Sequence, residues 1–243
     1  MCSGQMAEVS DTITTKGGGH VEIRLSGIDR RETLRYLQYR GGTLSPEIRA
    51  ALDRGEEKLL ETARPRTVWR LFGREADGRL AGTDFRPEGR DVAALLADCD
   101  QVILMAATLG AEAEQLLRRA QARDMAEAVI LDAAGSAAIE RVCDELCDTL
   151  AARFQPRYLT DRFSPGYGDM PLKQQRGLCR VLALERSIGV SLTESGLLIP
   201  QKSVTALIGV SDRPQPRRPR GCETCDARDT CTYRKEGTDC GNG

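Results

Sequence analysis

Gln101-Val-Ile-Leu-Met-Ala-Ala-Thr-Leu-Gly110 contains the longest apolar stretch of the chain, Val102 to Ala107. It is too short to cross a membrane and reads as a buried strand. Thr108-Leu-Gly110 then turns the chain into a helix over roughly 111–123. A longer helix follows over about 125–152, with Ile139, Val142, Leu146 and Leu150 at helical spacing on one face. Its middle, Asp132-Ala-Ala-Gly-Ser-Ala-Ala138, has almost no side-chain bulk, which predicts close approach by another helix backbone or by a ligand.

Outward from this strand and helix pair the pattern stays mixed. Upstream, Val21-Glu-Ile-Arg-Leu25 alternates as a strand, and Leu34 and Leu37 are spaced as on a helix. Ser45-Pro46 supplies an N-cap and a proline at the first helical position for a helix to about residue 62. Thr67 to Phe72 and Leu80 to Phe85 read as strands around a turn at Asp77-Gly78, followed by a short helix at about 91–97. Downstream, Pro171 opens a helix through about residue 187, and Ser203 to Val210 is a closing strand.

The chain has 243 residues, a length that fits one main domain with an appendage. Residues 1–19 read as a flexible leader, 20–211 as the domain, 212–221 as an arginine-proline linker and 222–243 as a cysteine-rich tail. Lys and Arg number 35 against 36 Asp and Glu, so no global field draws nucleic acid or a membrane. Aromatic content of 4 % also argues against base-stacking platforms. The first residues lack a basic region leading into an apolar one, so a cytoplasmic protein is expected. His20 is the lone histidine, which excludes a histidine-based triad or a multi-histidine metal site.

Arg162-Phe-Ser-Pro-Gly-Tyr-Gly-Asp-Met-Pro171 is dense in turn residues and reads as a binding loop. Its backbone amides and the Arg162 guanidinium suit a small anionic ligand, and a guanidinium can hold a carboxylate bidentately. Tyr167 could cover a flat or sulfonium-bearing ligand with its ring face. By spacing alone a surface ion pair for Arg162 and an ordinary tight turn at Pro165-Gly166 are the commoner roles. Glu140 follows the small-residue run and could accept from a ligand ammonium, although a solvated helix carboxylate has the same pattern. Cys143 and Cys147 are one helical turn apart and could share a ligand; buried structural thiols are commoner. In the tail, Cys222, Cys225, Cys231 and Cys240 are spaced closely enough to bind zinc or an iron–sulfur cluster, whose binding would supply the folding energy.

Arg162-x-x-Pro-Gly-Tyr167, followed by Leu192-Thr-Glu-Ser195 and Pro200-x-x-Ser-Val204, resembles the activation domain of cobalamin-dependent methionine synthase. Arg35-Tyr-Leu37, Ala107-Thr-Leu-Gly110 and Leu131-Asp-Ala-Ala-Gly-Ser136 are similar to free-standing members of that family. The resemblance implies an α+β fold, a mixed or largely antiparallel twisted sheet flanked by helices. It also implies S-adenosylmethionine as ligand, with Arg162 on its carboxylate and Glu140 on its amino group. Phe163, Ser164, Pro165, Gly166 and Tyr167 would frame the rest.

The function so implied is reductive methylation of cob(II)alamin on a methionine synthase lacking its own activation domain, or on a related corrinoid methyltransferase. The cobalamin would come on that partner and the electron from a flavodoxin-like or other low-potential donor. This chain has none of the synthase's other modules, and the linker and cysteine tail stand where the family's C-terminal extension contributes a further tyrosine. A sensing or docking module for S-adenosylmethionine, and an iron–sulfur electron carrier to a corrinoid protein, are the alternatives.

Overall fold

The computed structural model describes residues 17–39 and 42–215. Its centre is the apolar run: β3 (Gln101–Thr108) pairs antiparallel with β2 (Arg66–Gly73) on one side and with β7 (Ser203–Ser211) on the other. Two short edges complete the sheet, β1 (Gly18–Gly19) beside β2 and β4 (Tyr158–Leu159) beside β7, giving the order β1-β2-β3-β7-β4 with every pairing antiparallel. The expected α+β architecture with an antiparallel sheet is what the chain adopts.

β3 is buried along nearly its whole length because alternate residues feed two separate cores. Ile103, Met105 and Ala107 join Trp69, Ala206, Ile208 and Val210 in one core. Val102, Leu104 and Ala106 join Val68 and Leu207 in the other. The first is covered by α2 (Pro46–Thr62), α4 (Ala111–Arg123) and α5 (Met125–Arg153), with α1 (Arg30–Tyr36) packed on α5. The second is covered by α3 (Arg90–Leu95), α6 (Gln175–Leu182) and α7 (Leu184–Ile188).

Local sequence explains the helix starts. Ser45 accepts the Ile48 N–H at 3.3 Å with Pro46 at the first position of α2. Asp124 accepts from Ala126 at 2.9 Å and Glu127 at 3.2 Å to start α5, whose 29 residues make a rod about 44 Å long.

Four expectations are corrected. Gly18 and Gly19 pair with Arg70 and Trp69, so this part of the expected leader belongs to the sheet. Val21 to Leu25 is not a strand; Val21 and Ile23 are buried, but the ladder is replaced by the Thr67 hydroxyl, which accepts the Val21 N–H at 3.0 Å and donates to its carbonyl at 2.7 Å. Leu80 to Phe85 folds back on itself, the Leu80 N–H donating to the Phe85 carbonyl at 2.9 Å. The helix expected from Pro171 breaks into a 3-10 turn at Leu172–Gln174, then α6 and α7, because Ala183 takes a left-handed conformation at φ 51°. That break turns Leu184 and Ile188 into the second core. A small hairpin of β5 (Ser191–Leu192) and β6 (Leu198–Ile199) follows.

At Gly135 the small-residue run of α5 is met by a side chain. The stem of Lys202 lies across Gly135, where an added Cβ would stand 3.1 Å from its Cε. The Lys202 ammonium reaches Asp132 at 2.8 Å and Ser136 at 2.9 Å.

Candidate functional site

Arg162 is placed by the sheet edge. After β4 the chain continues along β7: the Thr160 N–H donates to the Gly209 carbonyl at 3.0 Å, and Phe163 and Leu207 exchange two hydrogen bonds at 2.9 Å. Successive residues of an extended segment point to opposite faces. Phe163 therefore enters the second core, and Arg162 turns to the α5 side.

There the guanidinium is gripped by α5. Nη2 reaches Glu140 Oε2 at 2.5 Å and Nη1 reaches Asp144 Oδ1 at 2.5 Å, with the Cys147 sulfur 3.9 Å from Nη1. Glu140, Asp144 and Cys147 recur at three- and four-residue intervals, so one helix face presents all three. The Arg162 side chain is 16 % exposed while Glu140 and Asp144 are 40 % and 52 % exposed. Burial works against the charge, but hydrogen bonding to Asp144 and the field of both carboxylates outweigh it and hold the guanidinium above its ordinary value. Two carboxylates on one cation leave the cluster with surplus negative charge, suited to a ligand ammonium. Of the five guanidinium donors Nη1 gives one to Asp144 and one to the Cys147 sulfur and Nη2 gives one to Glu140, and a ligand carboxylate could use the remainder.

Tyr36, at the end of α1, borders this cluster. Its hydroxyl is pushed up by burial and by the Glu140 carboxylate, and the Arg35 guanidinium lies 4.4 Å from its ring centroid. Along α5, Asp132, Ser136, Glu140 and Asp144 form a polar stripe at four-residue spacing, the first two engaged by Lys202 and the last two by Arg162.

The loop itself departs from expectation. Three of its amides are consumed internally: the Gly166 N–H donates to Met170 O at 2.9 Å, Tyr167 to Ser164 O at 3.1 Å and Met170 to Tyr167 O at 3.1 Å. A turn this tight satisfies its own donors, so Gly166 and Tyr167 do not offer their N–H groups to a ligand. Gly166, at φ 86°, takes a conformation that favours glycine. Pro165 is buried and Ser164 half-buried. Tyr167 is 70 % exposed and meets the Phe163 ring edge to face at a centroid distance of 6.1 Å, which leaves most of its ring open to solvent.

Thus Arg162 and Glu140, 22 residues apart in sequence, are brought into direct contact, while Tyr167 packs on Phe163, which points to the other face. Asp144, paired with Arg162, and Tyr36, in the field of Glu140, are neighbours of this cluster that sequence reasoning missed. Asp144 was signalled by its position one turn beyond Glu140; Tyr36 had no signal beyond its place in a family-like motif. A cavity of about 190 Å³ lies beyond Leu172, lined by Lys173, Arg176, Leu192, Glu194, Ser195 and Gly196, and Arg162 and Glu140 are not part of its wall. The four tail cysteines, Cys222, Cys225, Cys231 and Cys240, lie outside the described residues. Among the described residues no group of three or more His, Cys, Asp or Glu side chains has metal-holding geometry, and no helix is long and apolar enough to cross a membrane.

Residues 96–216 match the profile of the vitamin B12 dependent methionine synthase activation domain. That span includes β3, α5, the Arg162 loop and β7. The fold is similar to the crystal structure of the MetH reactivation domain bound to AdoHcy, with a TM-score of 0.58 and 17 % identity over 92 % of this chain and 86 % of that one. No curated protein sequence matches this chain.

Proposed function

We propose, from the premise that residues 96–216 form a vitamin B12 dependent methionine synthase activation domain, that this chain binds S-adenosylmethionine and supports reductive methylation of cobalamin carried by a partner. The observation that carries this reading is the cluster of Arg162 with Glu140 and Asp144. The donor set fits the ligand: a guanidinium for the carboxylate, surplus carboxylate for the ammonium, and an exposed aromatic face for the sulfonium. The partner's cobalamin, reduced by a low-potential donor such as a flavodoxin-like protein, supplies the methyl-accepting centre.

The work of this chain is to bind and orient. Arg162 fixes one end of the ligand, Glu140 and Asp144 hold the ammonium beside it, and Tyr167 steadies the sulfonium in line with the approaching acceptor. Methyl transfer to a metal centre moves no proton, so no general base is required, in keeping with a chain whose lone histidine, His20, lies far from the loop in sequence.

The test is activity in trans. Mixed with a methionine synthase lacking its activation domain, a low-potential reductant and S-adenosylmethionine, this chain should convert the cob(II)alamin spectrum to that of methylcobalamin, and omission of S-adenosylmethionine should abolish the change. Normal binding of S-adenosylmethionine without remethylation of any cognate corrinoid protein would favour a sensing or docking module instead.

A further inference from the structure

Cys143 and Cys147 have no part in the proposed methyl-donor site, yet they lie directly beneath it. Cys143 is fully buried and Cys147 half-buried, one turn apart on α5. Cys147 Sγ is 3.9 Å from the Met105 thioether sulfur on β3 and 3.9 Å from the Arg162 guanidinium. We propose that Cys143, Cys147 and Met105 form a binding site for a soft monovalent cation of the Cu(I) class.

The ligand chemistry points to softness. Two thiols and a thioether select Cu(I) over harder cations, and among the described residues no group of three or more His, Cys, Asp or Glu side chains offers a site for zinc. The geometry is close to what such an ion needs. Metal–sulfur bonds of about 2.3 Å place the sulfurs of a trigonal site about 4 Å apart, the separation already present between Cys147 and Met105. Cys143 sits one turn away on the helix, where β-carbons are about 5–6 Å apart, and it lies within the field of Arg162 and Cys147.

Uptake releases the two thiol protons to solvent and forms two thiolate bonds and one thioether bond to the metal, with no change in oxidation state. The product carries one negative charge and lies beside the Arg162 guanidinium, 3.9 Å from Cys147. Entry is from the side of half-buried Cys147. The inference is independent of the S-adenosylmethionine reading, because its evidence is metal uptake and not activity.

The experiment is an anaerobic titration of the full chain with Cu(I) buffered by bicinchoninate. The tail thiols take up Cu(I) too, so the comparison is between variants that all keep the tail. Cys143→Ala/Cys147→Ala should bind one equivalent fewer than wild type, and Met105→Leu should keep the stoichiometry but weaken that equivalent about tenfold. Equal stoichiometry in the folded double variant would overturn the site. Should circular dichroism show the double variant unfolded, Met105→Leu, a volume-conserving change, decides: unchanged affinity overturns the proposal.

Discussion

The carboxylate of Asp169 accepts the backbone N–H of Arg90 at 2.8 Å, so α3 is capped by a residue 79 positions later in the chain. A second bond, from the Asp91 N–H at 3.0 Å, completes the cap. The residue at the N-cap position, Gly89, has no side chain to offer, and a Cβ there would stand 2.7 Å from Asp169 Oδ1. The consequence reaches the site, because Asp169 closes the loop that carries Arg162 and Tyr167. The loop is thereby latched to the second layer of helices.

Asp169→Ala should lower the thermal midpoint at neutral pH and loosen the loop. Bonds from Asp91 and then Arg90 hold the Asp169 carboxyl below its ordinary value. A depressed carboxyl contributes stability above its unfolded pKa of about 3.9 and loses it as pH falls through the lower folded value. The difference in midpoint between wild type and Asp169→Ala should therefore be present at pH 7 and shrink in acid below about pH 4. A gap that persists undiminished well below the folded value would assign the effect to something other than this carboxylate.

Arg162→Ala should weaken S-adenosylmethionine binding at least tenfold, the equivalent of about 1.4 kcal/mol. It removes a charge-assisted partner and leaves Glu140 and Asp144 facing each other unneutralised. Arg162→Lys should not restore affinity, since one ammonium cannot reproduce the planar fork that spans two carboxylates and a ligand. Calorimetry checks both; wild-type affinity in either variant removes the fork from the site.

Gly177→Ala tests the packing beneath the loop. The added Cβ would stand 2.6 Å from Cε2 of the buried Phe85 ring. Alanine gains about 1 kcal/mol of helix propensity over glycine, and overpacking a core costs about 1–3 kcal/mol. Because the ring is enclosed by the second core, the overpacking term wins and urea denaturation should show net destabilisation. A stabilised variant would mean that Phe85 can swing aside at little cost.

The cysteine tail yields a separate prediction. After anaerobic purification Cys222, Cys225, Cys231 and Cys240 should retain metal, as zinc without colour or as iron with broad visible absorbance. Elemental analysis distinguishes them. Finding neither, with all four thiols rapidly alkylated in the native protein, would reject a metal at the tail.

What could be read from the sequence alone was local. The Ser45-Pro46 start of α2, the β3 strand and the extent of α4 and α5 follow from caps, apolar runs and helical periodicity, all of which act within a few residues. Arg162, Glu140 and Tyr167 were legible as candidates because the turn and its neighbours carry a family pattern. The tertiary structure decided whatever depends on partners distant in sequence. Val21 to Leu25 alternates as a strand, yet a threonine hydroxyl from β2 takes the place of a ladder. The small-residue run at 132–138 predicted close approach without naming the neighbour, and at Gly135 that neighbour is the stem of Lys202. The amides of Gly166, Tyr167 and Met170 are spent within the turn, while Arg162 found its two carboxylates across 18 and 22 residues on a helix face. Propensity and periodicity are properties of a short window. Hydrogen-bond saturation and charge pairing are settled only when the folded chain brings every donor, acceptor and ion within reach of the others.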